Sequence, residues 1–248
     1  GVDPLWEKYA GMNPYTYCAG NPVMLVDPDG SSVFYNENGD YVGTDDKGYE
    51  GHIYITSQID FDNYNKKYLC PMETQTLTPE AYSKIYTDVL KKMGINTSTL
   101  YNGKISVKGV CVKFDLIDGF TMNYSYNNPS MNVRYLSTSM DTNTEKGIKI
   151  QVNQLSDEVK NELCTVENVF NSLGIHEYNG HGINRYGDYA KNHHKVYESQ
   201  ILDPSFGKTT QKYKDHVLSN YYHYLKKENV GYSGDNYRKI YNLYEKNK

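Results

Sequence analysis

Short apolar segments separated by turn-forming residues characterise the first half of the chain. Turn signals such as Asn38-Gly39 and Lys47-Gly48 separate segments that have the length and composition of short β-strands. The predicted strands cover residues 33–35, 41–42, 53–55, 104–117, 120–126 and 131–136. Residues 147–154 alternate apolar and polar side chains, as a half-buried strand does. These patterns predict a first half that is rich in β-structure.

Helical patterns begin at residue 78 and dominate from residue 155 onward. Thr78 is predicted to be the N-cap, Pro79 the first residue and Gly94 the stop signal of a helix that ends near Met93. Further helices are predicted at 156–163, 166–181, 192–202, 208–227 and 235–246. The order of these elements predicts an α+β fold, with a small N-terminal β module and a mainly helical C-terminal half.

The composition is typical of a folded protein, with a high tyrosine content. Of the 248 residues, 38% are apolar and 27 are Tyr, and the formal net charge is −4. No apolar stretch approaches the roughly 18–20 residues of a membrane span, so no span is predicted. The negative net charge gives no electrostatic reason to expect nucleic acid as a partner. The four cysteines contain no C-x-x-C pair, and they permit two disulfides without requiring any.

Histidines are concentrated in the helical half of the chain. Four of the seven, His176, His181, His193 and His194, lie within one segment of nineteen residues. A catalytic zinc site needs three protein ligands of this kind, an open position for water and a carboxylate that accepts a proton from that water. The cluster therefore predicts a zinc-dependent hydrolase. His52 is far away in the sequence and is interpreted as a strand-edge residue rather than a ligand.

Residues 176–181 have the pattern H-E-x-x-G-H. Histidines five residues apart lie about 140° apart around a straight α-helix, so His176 and His181 could share a metal only if the helix adopts π-type geometry. Gly180 is expected to ease that distortion. The pattern is similar to the lengthened zincin motif of the dipeptidyl-peptidase III family. This resemblance covers six residues, and it implies zinc bound by the two histidines with Glu177 as general base.

A third metal ligand is expected from a downstream helix. Glu198 lies 17 residues after His181 and is preferred, by similarity to glutamate-type zincins. His194, one turn earlier on the same face, is the alternative third ligand or an outer partner. Residues 147–154 are expected to form the edge strand beside the metal helix, where an extended substrate would add as a further strand. A zincin-like metallopeptidase domain is therefore expected over residues 61–248.

The predicted reaction is hydrolysis of a peptide bond by metal-activated water. Glu177 would accept the proton of that water and later pass it to the leaving amine. A hydrogen-bond donor must also stabilise the oxyanion, and Tyr186 and His223 are the candidates selected for this role. The other donors that the sequence leaves open are Arg185, His216, Tyr221 and Tyr222.

Three other interpretations stay open. In a straight helix Glu177 and His181 share a face, and they could join His194 and Glu198 in a carboxylate/histidine site of the helix-bundle type. Clustered His and Asn residues also occur in metal-dependent nuclease toxins, in which case the basic, tyrosine-rich residues 208–248 could contact phosphate. The third interpretation is a binding or adhesion tip whose metal site is structural and not catalytic.

The first thirty residues contain the pattern P-x-x-x-x-D-P-x-G, with Pro22, Asp27, Pro28 and Gly30 at its defined positions. This segment resembles the C-terminal edge of an Rhs (YD-repeat) core. The resemblance implies that the residues after it form a toxin or effector tip, which several members of the family release by cleavage after this motif. Asp27 would then be implicated in the cleavage.

The same resemblance implies a division of the chain and a set of partners. Residues 1–30 would be a remnant of the Rhs core, residues 31–60 a small β module or linker, and residues 61–248 the effector domain. The protein would be secreted or delivered from a bacterial cell as part of a larger exported protein. Its expected partners are the parent Rhs shell, a cognate immunity protein and a protein or peptide substrate.

Overall fold

A computed structural model gives the fold of most of the chain. It describes residues 31–62, 70–109, 113–115, 121–123, 136–141, 147–152, 156–187 and 191–244. The Rhs-like segment 1–30 lies outside the described residues, as do the parts of the predicted strands that fall between these ranges. Helices and small sheets are both present, so the predicted α+β class is confirmed.

The strands of the described ranges are short and form three sheets. Their bounds are β1 Ser32–Tyr35, β2 Tyr41–Thr44, β3 His52–Ile55, β4 Cys70–Pro71, β5 Ser106–Val107, β6 Lys113–Asp115, β7 Thr121–Asn123, β8 Leu136–Asp141 and β9 Gly147–Val152. The first sheet has the order β2-β1-β3-β4, the second β5-β9-β8, and β6 pairs with β7. In the first sheet β1 is parallel to β3 and antiparallel to β2.

The position of β9 corrects one expectation from the sequence. A strand is present at Gly147–Val152, as the alternation of side chains predicts. It is the central strand of its sheet, however, because β5 pairs with one side in parallel and β8 with the other side antiparallel. β8 pairs along the whole of β9, while the other side is occupied by β5 at Gln151 and Val152 and by a bridge from Leu100 to Ile148. β9 is therefore not a free edge to which a substrate strand could add.

The helices occupy the predicted segments, except for the short helix at Gln58–Asp62, which was not predicted. Their bounds are α1 Gln58–Asp62, α2 Pro79–Lys92, α3 Asp157–Glu162, α4 Val166–Val169, α5 His194–Leu202, α6 Gln211–Lys227 and α7 Asp235–Tyr244, with a π-helix at Phe170–Ile183 and single 3-10 turns at Met72–Thr74, Thr97–Thr99, Tyr101–Gly103 and Pro204–Lys208. The predicted ends of α2 are confirmed. The Thr78 side chain accepts a hydrogen bond from the backbone N–H of Ala81, and Gly94 follows the helix at φ 95°.

One hydrophobic core joins the first sheet to the helix that carries the histidines. Val33 and Ile53 from the strands, Ile85 from α2, and Val169 and Leu173 from α4 and the π-helix belong to the same buried cluster. The predicted domain boundary at residue 60 passes through this core. The small β module is thus packed against the rest of the domain, and its burial contributes to holding the π-helix in place.

A second buried cluster holds the C-terminal helices together. It is built from Ile201, Phe206, Tyr213, Val217, Leu218, Tyr221, Leu225 and Ile240. The π-helix contributes to the first cluster and α5 to the second, and the two helices approach each other closely at Gly180 and Val196. Elements from both clusters can therefore contribute side chains to one site.

Two further observations concern the membrane and the thiols. Among the residues that the structure describes, no helix combines the length and the apolar character needed to cross a bilayer. Cys70 and Cys164 are thiols rather than halves of a disulfide, whereas Cys18 and Cys111 lie outside the described ranges.

Candidate metal centre

His176 and His181 lie on a π-helix of 14 residues that continues directly from α4. A π-helix has about 4.4 residues per turn, so residues five apart lie only about 50° apart around its axis. The Nε2 atoms of the two histidines are 3.2 Å apart. The sequence motif requires π-type geometry, and the structure supplies it over more than three turns of helix.

Two glycines of the motif region let other elements approach the π-helix closely. A Cβ atom at Gly180 would lie 2.6 Å from Cγ1 of Val196 on α5. A Cβ atom at Gly182 would lie 2.8 Å from Cγ2 of Ile148 on β9. Both distances are shorter than any tolerable carbon–carbon contact. Gly180 therefore provides room for α5, a role that its place in the sequence motif did not indicate.

His193 completes a cluster of three histidines with His176 and His181. It directly precedes α5, and its Nε2 atom lies 3.3 Å from Nε2 of His176. All three ligand nitrogens lie within 4.8 Å of one another. Two nitrogens bound to one tetrahedral zinc at about 2.0–2.1 Å are about 3.3–3.4 Å apart. The three imidazoles are thus spaced as ligands of a single metal ion would be.

Hydrogen bonds on the far side of two rings orient them toward the cluster. Nδ1 of His176 lies 2.6 Å from Oε1 of Gln200, and Nδ1 of His181 contacts the backbone carbonyl oxygen of Tyr186. Both partners are acceptors, so each Nδ1 carries the proton and each Nε2 offers a lone pair to the centre of the cluster. Histidines that bind metals have an outer partner of this kind.

Glu228 positions the third histidine from α6. Its Oε1 accepts the backbone N–H of His193 at 2.8 Å, and its Oε2 accepts from Nδ1 of His194 at 2.6 Å. Burial acts to raise the pKa of Glu228, but the hydrogen bonds from His194 and from the two backbone N–H groups outweigh it and hold the pKa below its usual range. The carboxylate therefore anchors the N-terminal end of α5, where a negative charge is favourable.

Two tyrosine rings enclose His193. The ring of Tyr197 stacks on it at a centroid distance of 5.3 Å, and the ring of Tyr224 lies 4.2 Å away. Tyr197 also meets the edge of His176 at 4.9 Å. The cluster thus has an aromatic wall, which restricts the rotamers of its ligands and limits contact with water.

Neither predicted third ligand joins His176 and His181. The oxygens of Glu198 accept hydrogen bonds from the Tyr221 hydroxyl at 3.1 Å and from the Asn236 amide at 3.0 Å. His194 is paired with Glu228. The alternative bundle-type site, which combines both residues with Glu177 and His181, is not assembled for the same reason. His193 takes the third position.

The predicted catalytic residues differ in their placement. Glu177 is 5% exposed and follows His176 on the π-helix. Tyr186 contributes its backbone carbonyl to His181, and the Lys195 ammonium lies 5.7 Å from its ring. His223 is exposed on α6 and contacts the ring of Tyr224, which separates it from the cluster of three histidines.

The sequence provides a signal for His193 but none for its supporting residues. His193 belongs to the histidine-rich segment and precedes a predicted helix, so it was available as a candidate. No sequence pattern marks Gln200 or Glu228, because each contacts a histidine that is distant in the chain. Gln200 lies 24 residues from His176, and Glu228 lies 34 residues from His194.

Comparisons with known proteins neither identify a family nor assign an activity. No protein-family model, no curated protein and no solved structure matches this chain. The resemblances of residues 1–30 to Rhs cores and of residues 176–181 to a zincin motif therefore stay predictions, and the chemistry must be argued from the three-histidine cluster itself.

Proposed function

We propose that this chain is a zinc-dependent hydrolase that acts on peptide bonds, with His176, His181 and His193 as the metal ligands. The observation that carries the proposal is the spacing of the three Nε2 atoms, together with the outer hydrogen bonds that present two of them as lone-pair donors. Three imidazoles and a fourth position for water are one of the ligand sets of catalytic zinc.

The charge of the ligand set favours catalysis over a purely structural role. The three imidazoles are neutral, so they would not compensate the double positive charge of a bound ion. When bound, zinc would supply Lewis acidity and lower the pKa of its water toward about 7. The hydrogen bonds of His176 and His181 at Nδ1 leave both Nε2 atoms free to bind the ion.

Glu177 is the proposed proton acceptor. On a π-helix it lies about 80° from His176 and about 30° from His181 around the axis, so it borders the metal-binding face. Its side chain is 5% exposed, so the carboxylate is largely shielded from bulk water. A carboxylate oxygen of Glu177 would accept the proton of the attacking water and deliver it to the leaving amine.

The choice of peptide bonds as substrate rests on the likeness of residues 176–181 to the H-E-x-x-G-H peptidases. A role as the effector tip of a larger exported protein rests on residues 22–30 and is likewise part of the proposal. Under this proposal the partners are a protein or peptide substrate, the parent shell and an immunity protein.

The test combines metal content with activity on protein purified without a metal-affinity tag. Plasma mass spectrometry of wild type and His181→Ala should show one zinc per chain fewer in the variant. Glu177→Gln should keep the zinc and the circular dichroism spectrum but lose hydrolysis of casein or a peptide library. A wild type that binds no zinc, even when zinc is offered, would overturn the proposal. Cleavage of plasmid or RNA instead of peptides would replace the peptidase with a nuclease.

A further inference from the structure

A second group of metal-ligating side chains lies away from the three histidines. His52, Glu73 and Cys164 each present a ligand atom, and these atoms all lie within 4.8 Å of one another. The residues come from the start of β3, from the 3-10 turn that follows β4, and from the residue before the N-cap of α4. More than 110 residues separate the first from the last, so only the fold brings them together.

The backbone around this group is held by hydrogen bonds. The N–H of Ile53 donates to the carbonyl oxygen of Cys164 at 3.0 Å, and His52 pairs with Thr165 in an antiparallel bridge. The ring of His52 approaches both oxygens of Glu73, with Nε2 at 2.9 and 3.0 Å. The three side chains therefore start from fixed backbone positions, which reduces the entropy that is lost when they bind one ion.

The group is largely shielded from solvent. The side chains of His52 and Glu73 are 18% and 16% exposed, and Cys164 is 7% exposed. A deeply enclosed thiol has little access to a substrate, which argues against a nucleophilic role for Cys164. An enclosed site with a thiol, an imidazole and a carboxylate is suited to holding an ion.

We propose that Cys164, His52 and Glu73 form a second metal site, which binds zinc with a water molecule as the fourth ligand and has a structural role because its enclosure keeps substrates away. A thiolate and an imidazole select zinc over magnesium or calcium, which prefer oxygen ligands. The thiolate and the carboxylate together neutralise the double charge of the ion. The resulting complex is neutral and suits a buried, structural position, in contrast to the three-histidine site, whose ligands leave the charge in place.

The site lies where three parts of the fold meet. A bound ion would connect the first sheet and the turn after β4 to the N-terminal end of the helix that carries His176. The helical residues between Thr165 and His176 span roughly 15 Å at about 1.5 Å or less per residue. The two sites are thus separate, and the second would stabilise the frame that orients the first.

Cobalt substitution of the full chain tests this proposal. Cobalt bound to a thiolate gives an intense charge-transfer band in the near ultraviolet, which imidazole ligands do not produce. The band should be present in wild type and in His181→Ala, absent in Cys164→Ser, and unchanged in the matched control Cys70→Ser. Zinc content should fall by one per chain in Cys164→Ser and in His181→Ala. The two variants therefore show separately whether each of the two proposed sites binds zinc.

Alkylation of the wild-type protein tests the same site without a variant. Iodoacetamide reaches the enclosed Cys164 only when the site opens locally, so the reaction is run in urea below the unfolding transition and followed by peptide mass spectrometry. Added zinc should slow modification at Cys164 and leave it unchanged at Cys70. If zinc leaves the rate at Cys164 unchanged, or if Cys164→Ser keeps the cobalt band and the full zinc content, the proposal is overturned.

Discussion

The Nε2 atoms of His176 and His181 lie 3.2 Å apart although the two histidines are five positions apart in the chain. This relationship depends on the π-helix, since in a straight α-helix the same residues would lie about 140° apart around the axis. The helix in turn depends on its neighbours, because Gly180 and Gly182 leave room for α5 and β9 to pack directly against it. The face that carries the histidines is therefore a product of packing as well as of the motif.

Gly180→Ala should weaken metal binding. The new methyl group would lie 2.6 Å from Cγ1 of Val196, so α5 must move, and His193 moves with it. Overpacking of this kind costs about 1–3 kcal/mol of stability. We expect a lower zinc affinity, measured by competition with a chromogenic chelator, and a lower midpoint in urea denaturation.

Two controls accompany this variant. Gly187→Ala introduces a methyl group that meets no atom within 4 Å, so it should behave as wild type. Adding Val196→Ala to Gly180→Ala removes the clash and should restore part of the zinc affinity. If the double variant is no better than Gly180→Ala, the close approach to α5 is not the cause.

His193→Ala should abolish tight zinc binding at the three-histidine site. Removal of one of three protein ligands leaves two, which is too few for a stable catalytic site. Glu198→Gln is the matched control, since its oxygens are bonded to Tyr221 and Asn236, and it should keep the zinc. Zinc loss in Glu198→Gln with retention in His193→Ala would show that Glu198 is the ligand.

Gln200→Met should reduce zinc affinity by about 10–100-fold, the range typical of lost outer partners. The substitution removes the oxygen that accepts from Nδ1 of His176, so the ring loses its orientation and its preferred tautomer. Tyr213→Phe removes a different hydrogen bond of the same amide, at 3.0 Å, and serves as the control. Equal losses in both variants would indicate a general packing effect.

Glu228→Gln should destabilise the N-terminal end of α5. Its carboxylate accepts from two backbone N–H groups and from His194, and hydrogen bonds of charged groups contribute about 1.5–3 kcal/mol. The free energy of unfolding, measured in urea with chelator present, should fall by a similar amount. Asp215→Asn, exposed on the same helix α6, should change it by less than about 0.5 kcal/mol. Equal stability of the Glu228 variant and wild type would contradict the anchoring role.

Glu167 should make stability depend on pH. Burial raises its pKa above the usual 4.5 of a glutamate, although hydrogen bonds from its own backbone N–H and that of Gly51 oppose the shift. The folded state therefore holds the proton more tightly than the unfolded state. Stability contributed by the protonated form is full below pH 4.5 and is lost as pH rises through the folded pKa.

Glu167→Gln should remove this part of the pH dependence, because the amide does not titrate but can still accept from Gly51. Urea denaturation at a series of pH values above 4 checks the expectation, with exposed Glu37→Gln as the control. A variant with the same pH profile as wild type would mean that another group is responsible.

Local patterns in the sequence predicted the elements and part of the candidate site. The N-cap at Thr78, the stop at Gly94 and the strand at Gly147–Val152 follow from residues that interact with near neighbours in the chain. The spacing of His176 and His181 likewise predicted π-type geometry, because a shared metal imposes that condition on any helix. Such features depend on side-chain periodicity and capping, which a sequence records directly.

Only the tertiary structure decided which residue joins His176 and His181, the position of β9 and the second group of candidate ligands. His193, His194 and Glu198 lie within six residues of one another. Glu228 holds His194, and Tyr221 and Asn236 hold Glu198, so that His193 is the one that meets the other two histidines. The pairing of β5 with β9 and the meeting of His52 with Cys164 are also long-range. The physical reason is the same in each case: a contact between residues far apart in sequence depends on how complete elements pack, and local periodicity carries no information about that packing.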